Sequence, residues 1–115
     1  MEHYIKYCLG KKGAFKDYPF GPEALVMKVE GKMFALIAED DRKSISLKCD
    51  PIIAENLREQ HAAVIPGYYM NKKHWNTVLL DGSLEQEEVE SMINHSYELV
   101  VKSLPKTVRE SLSGS

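Results

Sequence analysis

Hydrophobic and polar positions along the chain fall into short blocks of differing period. Residues 2–9 place Ile5, Cys8 and Leu9 at the i, i+3, i+4 spacing of one buried helical stripe, and Gly10 and Gly13 close it. From 24 to 30 the pattern alternates. Leu25, Met27 and Val29 point one way and Val26, Lys28 and Glu30 the other, as in a half-buried strand. Glu30, Gly31 and Lys32 form a hairpin signal, because Gly31 takes a positive φ without steric cost. Residues 33–38 are apolar throughout, as a central strand is. After a polar turn, residues 43–49 alternate again, with Ile45, Leu47 and Cys49 inward and Ser44, Ser46 and Lys48 outward. Three strands with two short connections predict an antiparallel meander.

The second half starts a helix at Asp50-Pro51. Asp accepts an orphan backbone N–H at an N-cap, and proline suits the first helical position. Ile53, Leu57 and Ala54 form its buried stripe to about residue 60. Pro66-Gly67 is a turn, 67–71 a short strand, 71–74 a hairpin tip and 75–80 a stronger strand rich in large and β-branched residues. Asp81-Gly82 turns again. Ser83 with Gln86 matches a capping box opening a helix that runs to about 103, where Pro105 stops it. The order helix, three strands, helix, two strands, helix argues an α+β fold: an antiparallel sheet of about five strands with helices on one face. Lys28, Ser46 and Lys48 then point to the other, partly exposed face. Residues 1–110 read as a single domain and 111–115, small and polar, as a flexible tail.

Composition adds boundaries. A chain of 115 residues, 43% hydrophobic and 28% charged, is an ordinary globular domain able to bury a core unaided. It lacks an apolar run of membrane-spanning length and a signal-peptide core at its start, which makes the cytoplasm the default location and a monomer the default state. Cys8 and Cys49 fit a reducing compartment and burial. Net charge is −2 and the pI about 6.1, so a phosphate-binding surface requires a local basic patch with carboxylates kept elsewhere.

No catalytic or metal motif emerges. His3, His61, His74 and His95 are scattered, and no pair has i, i+4 spacing. Glu85, Glu87, Glu88 and Glu90 complement a helix N-terminus rather than ligate a metal. Phosphate-binding glycine loops are absent, and no cofactor is implied. What stands out is the run around Tyr68, Tyr69, Asn71, Lys72, Lys73, His74, Trp75 and Asn76. The lysines can neutralise phosphates, His74 can donate a hydrogen bond, the amides suit base edges, and the rings can stack. A solvated Lys-Lys turn and a core-anchoring Trp75 explain the same residues and weigh more on the chemistry alone.

Four blocks carry a resemblance: DYPFGPEALVMKVEGKMFALI (17–37), ISLKCDP (45–51), VIPGYYMNKKHWNTVLLDGSL (64–84) and HSYELVVKSLPK (95–106). Together they resemble the MmcQ/YjbR family of small bacterial proteins. The resemblance implies a CyaY-like (frataxin-like) α+β sandwich and the description DNA-binding protein, tied to a double-wing motif. The acidic ridge by which frataxin relatives handle iron is missing, since Glu2 is outnumbered by Lys6, Lys11 and Lys12. Under this reading DNA is the partner. Lys32 at one tip and Arg42 and Lys43 at the next form the wings, with Asn71, Lys72, Lys73, His74, Tyr69 and Trp75 as further contacts. The alternative is a non-enzymatic module that binds a protein or an anionic small molecule through the same surface.

Overall fold

The computed structural model describes residues 1–38, 43–67 and 70–113. In chain order these form α1 (Glu2–Leu9), β1 (Ala14–Asp17), β2 (Ala24–Val29), β3 (Lys32–Ala38), β4 (Ser44–Lys48), α2 (Pro51–Gln60), β5 (Val64–Pro66), β6 (Trp75–Leu79), α3 (Gln86–Lys102) and α4 (Lys106–Ser113). The strands make one antiparallel sheet of six, in the order β1-β2-β3-β4-β6-β5. Arg42 and Tyr69, two of the expected contacts, lie outside the described residues, as does most of the 40–43 tip.

Local chemistry sets most of the boundaries. Glu30 and Gly31 both have positive φ (51° and 77°), the two-residue hairpin turn that joins β2 to β3. Asp50 caps α2, its Oδ1 accepting from the backbone N–H of Ile52 at 3.0 Å and of Ile53 at 3.4 Å, with Pro51 in the first turn. Ser83 does not cap α3. It bonds Asp81 Oδ1 through both N and Oγ, and Glu85 stands at the N-cap. Two strands differ from expectation. β1 is an added edge strand, paired with β2 from Ala14↔Val29 to Asp17↔Val26. Of the strand expected at 67–71, residues 68 and 69 lie outside the described residues; the described strand before β6 is β5, defined by its pairing with β6 (Val64↔Val78, Ile65↔Thr77, Pro66↔Asn76). Beyond Pro105 the chain forms α4, which takes in 111–113 of the expected tail; Leu112 packs on the core.

Helices cover one face. Phe34, Ile37, Ile45, Val78, Val89 and Ile93 are fully buried between sheet and helices, and Phe34 meets Tyr97 of α3 edge-to-face at 5.4 Å. Ser96 of α3, 0% exposed, ties the helix to the sheet. Its Oγ donates to the Phe34 carbonyl (2.5 Å) and accepts from the Lys48 N–H (2.9 Å). The β3–β4 register begins at Ala35↔Leu47, so Phe34 and Lys48 would be the next pair. The serine hydroxyl stands in for the ladder bond they lack.

The opposite face is less open than its polar residues imply. Ser46 is buried, with Oγ 2.9 Å from Thr77 Oγ1. Lys28 is half-buried and paired with Asp17 across β1–β2 at 2.8 Å, a bond that holds the Asp17 carboxyl below its usual range. Lys48 remains half-exposed there. Among the described residues no helix is long and apolar enough to cross a membrane.

Candidate nucleic-acid interface at one end of the sheet

Antiparallel pairing sorts the charged residues by strand end. β2 and β3 meet at Glu30-Gly31. At that same end β4 finishes at Lys48, and β6 starts at Trp75 after the 67–74 connection, because Lys48 pairs with Trp75. Lys32, Lys48, Lys72 and Lys73 therefore share one end of the sheet, and Lys11 and Lys12 join them in the link before β1. At the other end lie Glu23, Asp81, Glu85 and Glu87, with Asp17. Glu30 in the β2–β3 turn and Asp50 just after Lys48 also stand at the lysine end, so this chain of net charge −2 carries a local excess of lysines there rather than a clean separation of charge.

Lys43 falls on the acidic side. It precedes Ser44, which pairs with Leu79, and its carbonyl accepts from Leu80 N–H at 2.9 Å. Five strand steps from Lys43 to Lys48 put about 17 Å between it and the end that carries the Lys72–Lys73 turn. Lys43 and the Lys72–Lys73 turn, expected as contacts together, thus stand at opposite ends of the sheet. The two tips that do share an end are the β2–β3 turn and the β5–β6 connection. β4 lies between their hairpins, so the centres of the two tips are three strand spacings, about 14 Å, apart.

The 71–74 turn is held by its backbone, leaving its cationic side chains exposed. Asn71 Oδ1 accepts from Lys73 N–H (2.9 Å), Asn71 O from His74 N–H (3.1 Å), and His74 O from Cys49 N–H (2.7 Å). Asn71 is therefore a turn-former, and His74 is half-buried. Arg58 of α2 pins the whole connection. Its Nε donates to Asn76 Oδ1 (2.6 Å), and its guanidinium reaches the carbonyls of Lys72 and Trp75. Asn76, 3% exposed, also donates to the Ala54 carbonyl and so reads no base edge. Gly67 is needed for close approach: a Cβ there would stand 2.8 Å from Trp75 Cβ, and its N–H donates to Trp75 O at 2.9 Å.

Trp75 is half-buried. Side chains alternate along β6, with Asn76 and Val78 toward the helices, so Trp75 lies on the opposite face beside Lys48. It is not an anchor of the main core. Lys32 leans toward the helices, its Nζ 3.3 Å from Ser103 Oγ at the end of α3. Lys48, whose outward phase is readable in the alternation of residues 43–49, belongs to this end although no motif marks it. Arg58 had no local signal at all. Burial pushes the thiols of Cys8 and Cys49 up, to about 12 and about 11, so both stay protonated at neutral pH. Among the described residues no group of three or more His, Cys, Asp or Glu is arranged to hold a metal ion.

Fold and site together define a small α+β domain: an open antiparallel sheet, helices on one face, and a lysine-rich strand end. The chain belongs to the YjbR family, whose model matches residues 9–99. It is similar to the uncharacterized protein YjbR of Escherichia coli (strain K12), 39% identical over 113 residues covering 97% of this chain and 96% of that protein. The uncharacterized protein YyaQ of Bacillus subtilis (strain 168) is 26% identical, with 85% and 95% covered. Among solved structures, protein DR2400 of Deinococcus radiodurans, described as a DUF419 domain, aligns with a TM-score of 0.91 and 36% identity, covering 97% of this chain and 86% of that one. A Pseudomonas syringae protein aligns at 0.75 and 31%, with 85% and 96% covered.

Proposed function

We propose that the chain binds nucleic acid through the phosphate backbone, using the lysine-rich end of its sheet. The observation that carries this is the local excess of lysines at one strand end. Lys48, Lys72 and Lys73 stand beside Trp75 at one end and Lys32 marks the neighbouring tip, outnumbering Glu30 and Asp50 there, while Glu23, Asp81, Glu85 and Glu87 lie at the other end with Lys43. Phosphate contacts position a protein without reading sequence. The side chains suited to base edges are engaged in the fold, Asn71 in its turn and Asn76 with Arg58. Binding is therefore electrostatic and non-specific. The tip separation of about 14 Å is comparable to the roughly 12 Å major groove, so the two tips suit phosphates on its opposite lips.

The test is a titration of a labelled duplex followed by fluorescence anisotropy at about 50 and 200 mM salt. Saturable binding at the lower salt that weakens steeply at the higher supports the reading. Absence of binding at the lower salt overturns it.

A second reading is a protein-binding module. Ile52, 73% exposed, and Ile53 stand on α2, and Ile52 borders a hollow shared with Pro51, Arg58 and Lys73. Under that reading Ile52→Ser abolishes capture of the partner, and Lys72→Ala leaves it intact.

A further inference from the structure

The helical layer is not continuous. α3 lies over β3 and β4, and α2 lies against β5. Between the two helices, over the inward side chains of Leu47 and Val78, is a cavity of about 370 Å³. Leu57 of α2 and Met92 of α3 form its walls, each half-buried. Polar side chains sit mainly around the rim. At one end His61 Nε2 is 3.3 Å from Glu88 Oε2, with Glu87 and Ser91 alongside. At the other end His95 Nε2 accepts from the Asp50 N–H at 3.2 Å. This volume falls in the range of small-ligand pockets, about 300–1,000 Å³, and an apolar body with a few polar groups is their usual make-up.

Two features narrow the occupant. Cys49 borders the cavity with a thiol that burial pushes up to about 11, so it stays protonated and supplies no nucleophile at neutral pH. The carboxylates at the mouth are Glu87, which is exposed, and Glu88, whose Oε2 faces His61 Nε2 at 3.3 Å. Lys48 borders the cavity through its backbone, because its side chain lies on the other face of the sheet. An anion placed at this mouth meets like charge, whereas a cation is paired.

We propose that this cleft is a binding site for a small amphipathic amine, its apolar or aromatic body resting on Leu47, Val78, Leu57 and Met92 and its protonated amine at Glu87 and Glu88. The site is on the helix-covered side of the sheet and uses none of the lysines of the nucleic-acid reading, so either stands without the other.

The experiment is methyl and amide NMR of the full chain titrated with tryptamine, and separately with indole-3-propionate, each to about 10 mM. The two probes share the indole and differ in the sign of the side-chain charge. Tryptamine is expected to shift the Met92 and Leu57 methyls in a saturable way. Indole-3-propionate is expected to bind about tenfold more weakly, the size of one partly screened charge pair. Glu87→Gln with Glu88→Gln removes that preference, and Ser91→Trp, at an exposed rim position, blocks both probes. No shift of Met92 by tryptamine overturns the site. Equal binding of the two probes overturns the amine assignment, as does an unchanged preference in the Gln variant. If the Gln variant does not fold, undiminished tryptamine shifts in Ser91→Trp overturn the location.

Discussion

Replacing Lys72 and Lys73 together by alanine tests the nucleic-acid reading at its strongest point. Both side chains are exposed at the turn, and the turn is fixed by Asn71, by the Cys49–His74 backbone bond and by Arg58. Surface substitutions of this kind stay within about 0.5 kcal/mol of the parent in stability, so the melting midpoint serves as a fold control. If Lys32, Lys48, Lys72 and Lys73 each neutralise one phosphate, log affinity falls with log salt at a slope of about −3.6. From about 50 to 200 mM salt the parent then loses roughly 150-fold in affinity, and the double variant, with a slope near −1.8, only about 12-fold. Fluorescence anisotropy on a labelled duplex across a salt series reads both slopes. Lys43→Ala, at the opposite end of β4, is expected to keep the parental slope. An unchanged slope in the double variant, or an equal loss in Lys43→Ala, refutes the reasoning.

Three further outcomes are expected from the structure. Arg58→Met leaves Asn76 Oδ1 without its charged donor and frees the 71–74 turn, costing about 2–3 kcal/mol in urea unfolding; no loss of stability would contradict the pinning role. Ser96→Ala removes the hydroxyl bridging Phe34 and Lys48 and leaves a backbone N–H unsatisfied, for about 1–3 kcal/mol, read by the same assay. Gly67→Ala drives a Cβ into Trp75 at 2.8 Å from its Cβ and 3.0 Å from its carbonyl, and should cost about 1–3 kcal/mol with an altered Trp75 fluorescence; a silent substitution would refute the close approach.

Sequence reasoning worked where a few adjacent residues decide the outcome. The positive φ of Gly31 in the β2–β3 turn and the Asp50-Pro51 cap are local, and each is present as expected, whereas the alternation along β2 and β4 gives the strands but not their exposure, since Val26, Ser44 and Ser46 on the outward phase are buried. It failed where a distant partner decides. Ala14–Asp17 is a four-residue edge strand, and Val64–Pro66 has three residues; each is defined by its pairing rather than by its own pattern. Ser83 has the spacing of a cap, but Asp81, two residues earlier, takes its hydroxyl and its N–H. The candidate site was half-legible for the same reason. The 71–74 turn is a local signal, whereas the separation of Lys43 from Lys72 follows from β4 and β6 running antiparallel. Arg58 reaches the Lys72 carbonyl across 14 residues of chain. His61 and His95 look unrelated in sequence and border opposite ends of one cleft because α2, on β5, and α3, on β3 and β4, leave a gap between them.

The central claim is that phosphate meets one end of the sheet and not the other. Amide NMR mapping of the chain with an unlabelled duplex at low salt tests this directly. The account expects shifts at Lys32, Lys48 and residues 71–75, with Lys43, Asp81 and Gly82 unmoved. Shifts centred on Lys43 and Asp81, or a spectrum unchanged by excess duplex, would contradict it.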